Sequence, residues 1–134
     1  MLKIEVVIED QNGIQQYTYV NISKSVPWKL VFPGGEGIES FEVEADDLFI
    51  ACTRLREHLE QQYFKLLCNA SRENLCVSSM SREMGGGRKG YIVQMGQPTS
   101  RDTLVDIFGY VDSHLVVSVE EQKQFHEKWM KSLK

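Results

Sequence analysis

The run LKIEVVIEDQNGIQQYTYVNIS, residues 2–23, decides the fold class of this chain. In its first half apolar and polar residues alternate, which predicts a β-strand with one buried face. Asn12-Gly13 follows, and this dipeptide is the strongest short signal for a tight hairpin turn. The second half is rich in tyrosine and β-branched residues, as strands are. The stretch therefore predicts an antiparallel hairpin.

Two further strands are predicted directly after the hairpin. Pro27 and Pro33 bracket a short third strand, which we expect near a sheet edge or ending in turns. The segment IESFEVEA, residues 38–45, alternates apolar residues imperfectly with glutamates. That pattern predicts a fourth strand with one face in water.

The apolar period then changes to that of a helix, predicted over residues 46–63. Apolar side chains recur at helical spacing at Leu48, Cys52, Leu55, Leu59 and Tyr63. Asp46 and Asp47 stand where a cap and a first-turn acid belong, beside the positive end of the helix dipole. The polar face is expected to carry Arg54, Arg56, Glu57 and Glu60.

The second half of the chain predicts more strands and one last helix. A strand is expected over residues 75–84, paired through the glycine-rich turn 85–90 with a strand at 89–96. Residues 103–117 suit either a helix or a strand, and we favour a strand. Ser118 with Glu121 three residues later predicts a capped helix, anchored by Phe125 and Trp129.

This order of elements predicts an α+β fold. No repeat, low-complexity tract or linker interrupts residues 1–134, so we expect one domain. Strands, helix, strands and helix in that order favour a mainly antiparallel sheet packed by two helices.

The stretch SREMGGGRKGYIVQMGQP, residues 81–98, raises the question of phosphate binding. A phosphate-binding loop needs a Ser or Thr after its lysine and a helix to follow, but Gly90 follows Lys89 and a strand comes next. We therefore interpret the glycines as a flexible hairpin loop. Its Arg82, Arg88 and Lys89 remain candidates for contact with an acidic surface or with RNA phosphates.

Direct nucleic-acid binding is not expected. Residues 71–101 carry a net charge of +3, and Tyr91 could stack on a base. The whole chain is nevertheless acidic, with a net charge of −4 and a pI near 5.4, and it has no RNA-binding signature.

The residue pattern also predicts neither an enzyme nor a metal or cofactor site. The three cysteines lack paired or zinc-ligand spacing, and we expect Cys52 and Cys68 to be reduced and buried. Cys76 and His114 could in principle form a nucleophile and base, but nothing in the sequence selects that pair. The N-terminus does not resemble a signal peptide and the apolar runs are too short to cross a bilayer, so we expect a cytoplasmic protein without membrane contact.

The most unusual feature is the acidic segment EGIESFEVEADD, residues 36–47. Residues 1–47 hold nine acids and three bases, a net charge of −6. A solvated strand leading into a helix N-terminus explains Asp46 and Asp47 well. It explains the repelling cluster of Glu36, Glu39, Glu42 and Glu44 less well, and a basic partner would offset that repulsion.

In size, charge and these segments the chain resembles the small immunity proteins of bacterial contact-dependent growth inhibition and related toxin systems. The resemblance implies a cytosolic protein that neutralises one cognate toxin, commonly a nuclease, by occluding its basic active-site cleft. The residues expected to bind that partner are Glu36, Glu39, Glu42, Glu44, Asp46, Asp47, Arg88 and Lys89. The alternatives are a small enzyme or ligand-binding domain, with a deep pocket lined by His or Cys, and a secretion chaperone or adaptor, with an exposed apolar face.

Overall fold

The predicted hairpin lies at the centre of the protein in the computed structural model, which describes residues 1–134. Strand β1 (Leu2–Glu9) pairs antiparallel with β2 (Gln15–Ile22) over its full length. In the turn, the Asp10 side chain accepts hydrogen bonds from the backbone N–H groups of Asn12 and Ile14, at 2.8 and 2.9 Å. Gly13 takes a φ of 81°, which explains why the turn favours glycine there.

Three further strands extend the hairpin into a five-stranded antiparallel sheet. They are β3 (Trp28–Phe32), β4 (Phe41–Ala45) and β5 (Lys65–Leu66), and the strand order is β4-β3-β2-β1-β5. The third and fourth predicted strands are thereby confirmed. Strand β4 has β3 as its single neighbour, so the glutamate-bearing strand forms one edge of the sheet.

Helix α1 (Leu48–Glu60) covers the inner face of this sheet. Four residues of its predicted apolar stripe are buried, and they meet the inward-facing strand residues Ile8, Val20, Ile22, Leu30 and Phe32. The fifth, Tyr63, lies beyond the end of the helix and is exposed, so the prediction is wrong there. The prediction that Arg56 lies on the polar face is wrong, since this residue is only 2% exposed. Cys52 and Cys68 are buried free cysteines, as expected.

A second, three-stranded sheet follows, and here two predictions need correction. Its strands are β6 (Leu75–Cys76), β7 (Lys89–Ile92) and β8 (Leu104–Asp106), in that order. The strand predicted over residues 75–84 is wrong beyond Cys76, because helix α2 (Ser79–Gly85) follows it. The strand favoured over 103–117 is correct only for β8, and a turn of 3-10 helix occupies Ser113–Leu115.

The last helix, α3 (Val119–Ser132), forms with the predicted capping box. The Glu121 N–H donates to the Ser118 hydroxyl, and the Glu121 carboxylate accepts from the Ser118 N–H, both at 3.1 Å. Buried Trp129 packs against Cys76 and Val93 and donates its indole N–H to the Gln97 carbonyl at 2.9 Å. The α+β fold class is therefore confirmed, with α2 as a third, short helix. None of the three helices combines the length and apolar character that crossing a membrane requires.

Candidate functional site

Five of the six predicted acidic residues are exposed, and two of them, Glu42 and Glu44, stand on β4, the edge strand of the five-stranded sheet. They occupy the turn after β3, strand β4 itself and the residue before the α1 cap. We call this set the acidic edge; it consists of Glu36, Glu39, Glu42, Glu44 and Asp46. All five belong to one continuous segment between β3 and α1.

The pleat of β4 separates its charged side chains from its apolar ones. Phe41, Val43 and Ala45 pack towards the core beside α1, whereas Glu42 and Glu44 are exposed on the opposite face. Lys29 of β3 forms an ion pair with Glu42. The hydrogen bond from Lys29 to Glu42 is the main cause of the raised pKa of that lysine. The other four carboxylates of the acidic edge form no ion pair within the chain.

Asp47 does not belong to the exposed surface, although it was predicted to bind a partner. It is 3% exposed and caps α1, accepting the Ile50 N–H at 2.8 Å. Its other carboxylate oxygen accepts from Arg82 of α2 at 3.0 Å. The last residue of the acidic segment is thus a structural group that joins α1 to α2.

The glycine-rich segment does not form the flexible hairpin loop that was predicted. Gly86 ends α2 in the left-handed conformation, with a φ of 66°, and is buried against the Trp28 ring. Its carbonyl accepts the N–H of Leu48 at 2.6 Å, at the start of α1. Gly87 is buried beside Asp47. The glycines therefore allow close packing of α2 and its C-terminal turn against α1 and β3.

The two basic residues predicted to bind a partner, Arg88 and Lys89, have different environments. The Arg88 guanidinium donates to both carboxylate oxygens of Asp106, at 3.1 and 2.8 Å, so its charge is matched within the chain. Lys89 is exposed and lines a shallow groove with the apolar side chains of Met80, Met84 and Leu104. Neither residue forms an ion pair with the acidic edge.

A groove of about 590 Å³ runs beside the acidic edge, between β4 and α1. Two residues of α1 line it, Ile50 and Arg54. Sequence analysis placed Arg54 on the polar face of the helix but assigned neither residue to a binding groove. Both lie off the buried stripe of the helix, and their spacing of four residues places them on one face. That spacing is the signal from which the groove wall could have been found. The remaining lining residues are Phe41 to Asp46.

A second cavity, of about 300 Å³, bears on the enzyme alternative, since Cys76 and His126 are among its lining residues. Burial raises the pKa of the Cys76 thiol, which keeps it protonated and a weak nucleophile at neutral pH. No hydrogen bond joins Cys76 to a histidine, and His114 lies on an exposed turn. No group of three His, Cys, Asp or Glu side chains is placed to hold a metal ion.

No protein-family model matches the chain, and no curated protein matches its sequence. Its function is therefore inferred from its own residues and their geometry.

Proposed function

We propose that this chain is an inhibitor of the immunity-protein type, which binds a basic domain of a cognate toxin through the acidic edge. The observation that carries the proposal is a run of five exposed carboxylates in residues 36–46, two of them on the edge strand β4, of which only Glu42 has an ion-pair partner in the chain. Charges of one sign so close together repel one another, and a positively charged partner would turn that repulsion into attraction.

A nuclease is the toxin class that this surface suits best. An enzyme that holds nucleic acid needs lysines and arginines around its cleft to meet the phosphates. Carboxylates on a rigid strand can bind the same cations and exclude the substrate. Inhibition by this route requires no chemistry from the inhibitor, only a surface that reaches the cleft.

Charge would set the association rate, whereas apolar contacts would supply most of the affinity. The groove beside β4 offers Phe41, Val43 and Ile50 for such contacts. Tyr17 is a further candidate on the same sheet, because its side chain is 82% exposed. Trp28 is a weaker candidate, since its ring packs on Gly86.

The test uses the toxin domain of a secreted protein encoded beside this gene, and measures its association with the purified chain. Replacing Glu39, Glu42 and Glu44 with lysine should slow association at low salt by about a hundredfold, because electrostatic steering of this kind raises on-rates by about 10- to 1,000-fold. A matched control replaces Glu73, Glu83 and Glu120, three exposed acids outside the acidic edge, with lysine. Equal rates for the two triple variants would refute the proposal.

A further inference from the structure

The outer edge of β4 presents backbone groups that no other part of the chain binds. Within β3, the Lys29 carbonyl accepts the N–H of Ser23, and the Lys29 N–H donates to the Ser23 hydroxyl, so both backbone groups of Lys29 face the β2 side. Neighbouring residues of a strand face opposite ways. Leu30 and its partner Val43 therefore form the bonded pair, and the backbone groups of Glu42 and Glu44 point to the outer edge.

These outward N–H and C=O groups belong to an edge strand that has no neighbour on that side. Neither Glu42 nor Glu44 has a backbone hydrogen bond to a loop, turn or side chain. The start of β4 is fixed, because Glu39 donates its N–H to the Gln62 side chain at 3.1 Å. The edge is therefore held at one end and open over the residues that carry the charges.

We propose that an extended, basic segment of the partner adds to β4 as a sixth strand of the sheet. The inference rests on the proposed function and specifies how the acidic edge is used. Backbone hydrogen bonds to Glu42 and Glu44 would supply binding that is independent of the partner's sequence, and the flanking side chains would supply specificity.

The two faces of the edge define the pattern of that segment. Side chains of an added strand alternate between the outer face, beside Glu42 and Glu44, and the groove, beside Ile50 and Arg54. The outer positions favour lysine or arginine. The groove positions favour apolar residues, because Phe41, Val43 and Ile50 line the groove. The expected segment alternates basic and apolar residues.

The same charges argue against a second copy of this chain as the occupant. Pairing of two β4 edges would bring the glutamates of one copy against those of the other, and charged edge strands commonly prevent such self-association. A basic strand meets the identical edge with favourable charge. The carboxylates thus select between two occupants that the open backbone alone would accept.

The experiment titrates the intact protein with a blocked heptapeptide, Lys-Val-Lys-Val-Lys-Val-Lys, and follows amide hydrogen exchange by NMR. At saturating peptide, exchange of the Glu42 and Glu44 amides should slow about tenfold or more, as expected of newly bonded backbone groups. The amide of Glu36, in the turn before β4, should be unaffected. One control peptide has glutamate in place of lysine, and a second is N-methylated at alternate residues on its bonding edge.

Protection of both amides by the lysine peptide, and by neither control, would support strand addition. Equal binding of the N-methylated peptide without protection of Glu42 and Glu44 would overturn it, while leaving a charge-based inhibitor intact. Failure of the lysine peptide to bind would also overturn it. The proposed function is tested separately by the toxin-domain kinetics. Equal association rates for the two triple variants would refute it, whatever the peptide results are.

Discussion

At the scale of the residue, two neighbouring aspartates of identical chemistry have opposite environments. Asp46 is exposed on the acidic edge, whereas Asp47 is buried and accepts hydrogen bonds from Ile50 and Arg82. The difference arises because a helix cap needs an acceptor at one definite position. Asp47 therefore contributes to folding, whereas Asp46 would contribute to the electrostatic field met by the proposed partner.

Replacing Asp47 with alanine should lower the free energy of unfolding by about 2 kcal/mol, because it removes the α1 cap and a carboxylate bonded to Arg82. Asp47→Asn should cost less, since asparagine also caps helices. Asp46→Ala is the matched control and should change stability little, because that residue is exposed. Urea unfolding measures all three, and equal losses for the two alanine variants would contradict the assignment.

Gly85 and Gly86 provide a second residue-scale comparison. A Cβ at Gly86 would lie 2.4 Å from the Trp28 ring, on a backbone with a φ of 66°. Gly86→Ala should therefore destabilise the protein by about 2 kcal/mol, through both strain and overpacking. A Cβ at Gly85 meets nothing within 4 Å, and Gly85 is helical. Gly85→Ala should be neutral or stabilising in thermal unfolding, and a loss as large as that of Gly86→Ala would contradict this account.

At the scale of the element, the predicted helices and strands are confirmed where a buried face gives the apolar residues a regular spacing. They are wrong where no such face exists. The hairpin, β4, α1 and α3 each have a buried face or a cap that the sequence displays. Helix α2 has no buried residue, and its Met80 and Met84 are exposed. The sequence signals for this helix are therefore its two caps, Ser78 at the N-terminus and the left-handed Gly86 at the C-terminus. A prediction based on strand propensity does not use them.

The capping box of α3 predicts a pH dependence of stability. The hydrogen bond from the Ser118 backbone N–H is the main cause that lowers the pKa of Glu121 below 4.5. A lowered folded-state pKa means that the stabilisation is complete above the unfolded-state pKa and is lost as pH falls through the folded-state value. The stability advantage of the native chain over Glu121→Gln should therefore be larger at neutral pH than at pH 3.

Urea midpoints measured across that range test this expectation. Glu120→Gln makes the same charge change one residue earlier, without the bond to Ser118, and controls for the helix dipole. The effect should be small, because Glu121 is exposed. Identical pH profiles for the two variants would show that the capping box contributes nothing beyond the dipole.

At the scale of the whole molecule, the acidic edge was predictable because charge is a property of sequence, and five of its six expected members are exposed. What could not be predicted is which charges the fold uses internally. Asp47 and Arg88 bind Arg82 and Asp106, residues distant in the chain, so only the packing of α1, α2 and β8 reveals the pairing. The open edge of β4 likewise depends on the order of strands in the sheet, and local sequence patterns do not predict that order.

Arg56 shows most clearly how the whole molecule determines the role of a residue. Its guanidinium is buried, and donates to the carbonyls of Ala70 and Val117 and to the Gln122 side chain, at 3.0, 2.7 and 2.8 Å. It thereby joins α1 to the segment before β6 and to α3. Desolvation is the main cause that lowers its pKa, and no ion pair offsets it. The three acceptors are therefore what makes its burial tolerable.

Arg56→Met should lower the free energy of unfolding by about 3 kcal/mol, because buried acceptors at Val117 and Gln122 lose their donor. Arg54→Met is the matched control on the same helix, since Arg54 is exposed and bonds to nothing in the chain; its effect should stay within about 0.5 kcal/mol. In the Arg56 variant, hydrogen exchange should accelerate more in α3 than in β1 and β2, because the lost hydrogen bonds hold α3 in place. Equal losses in the two arginine variants, or uniform exchange, would contradict this role.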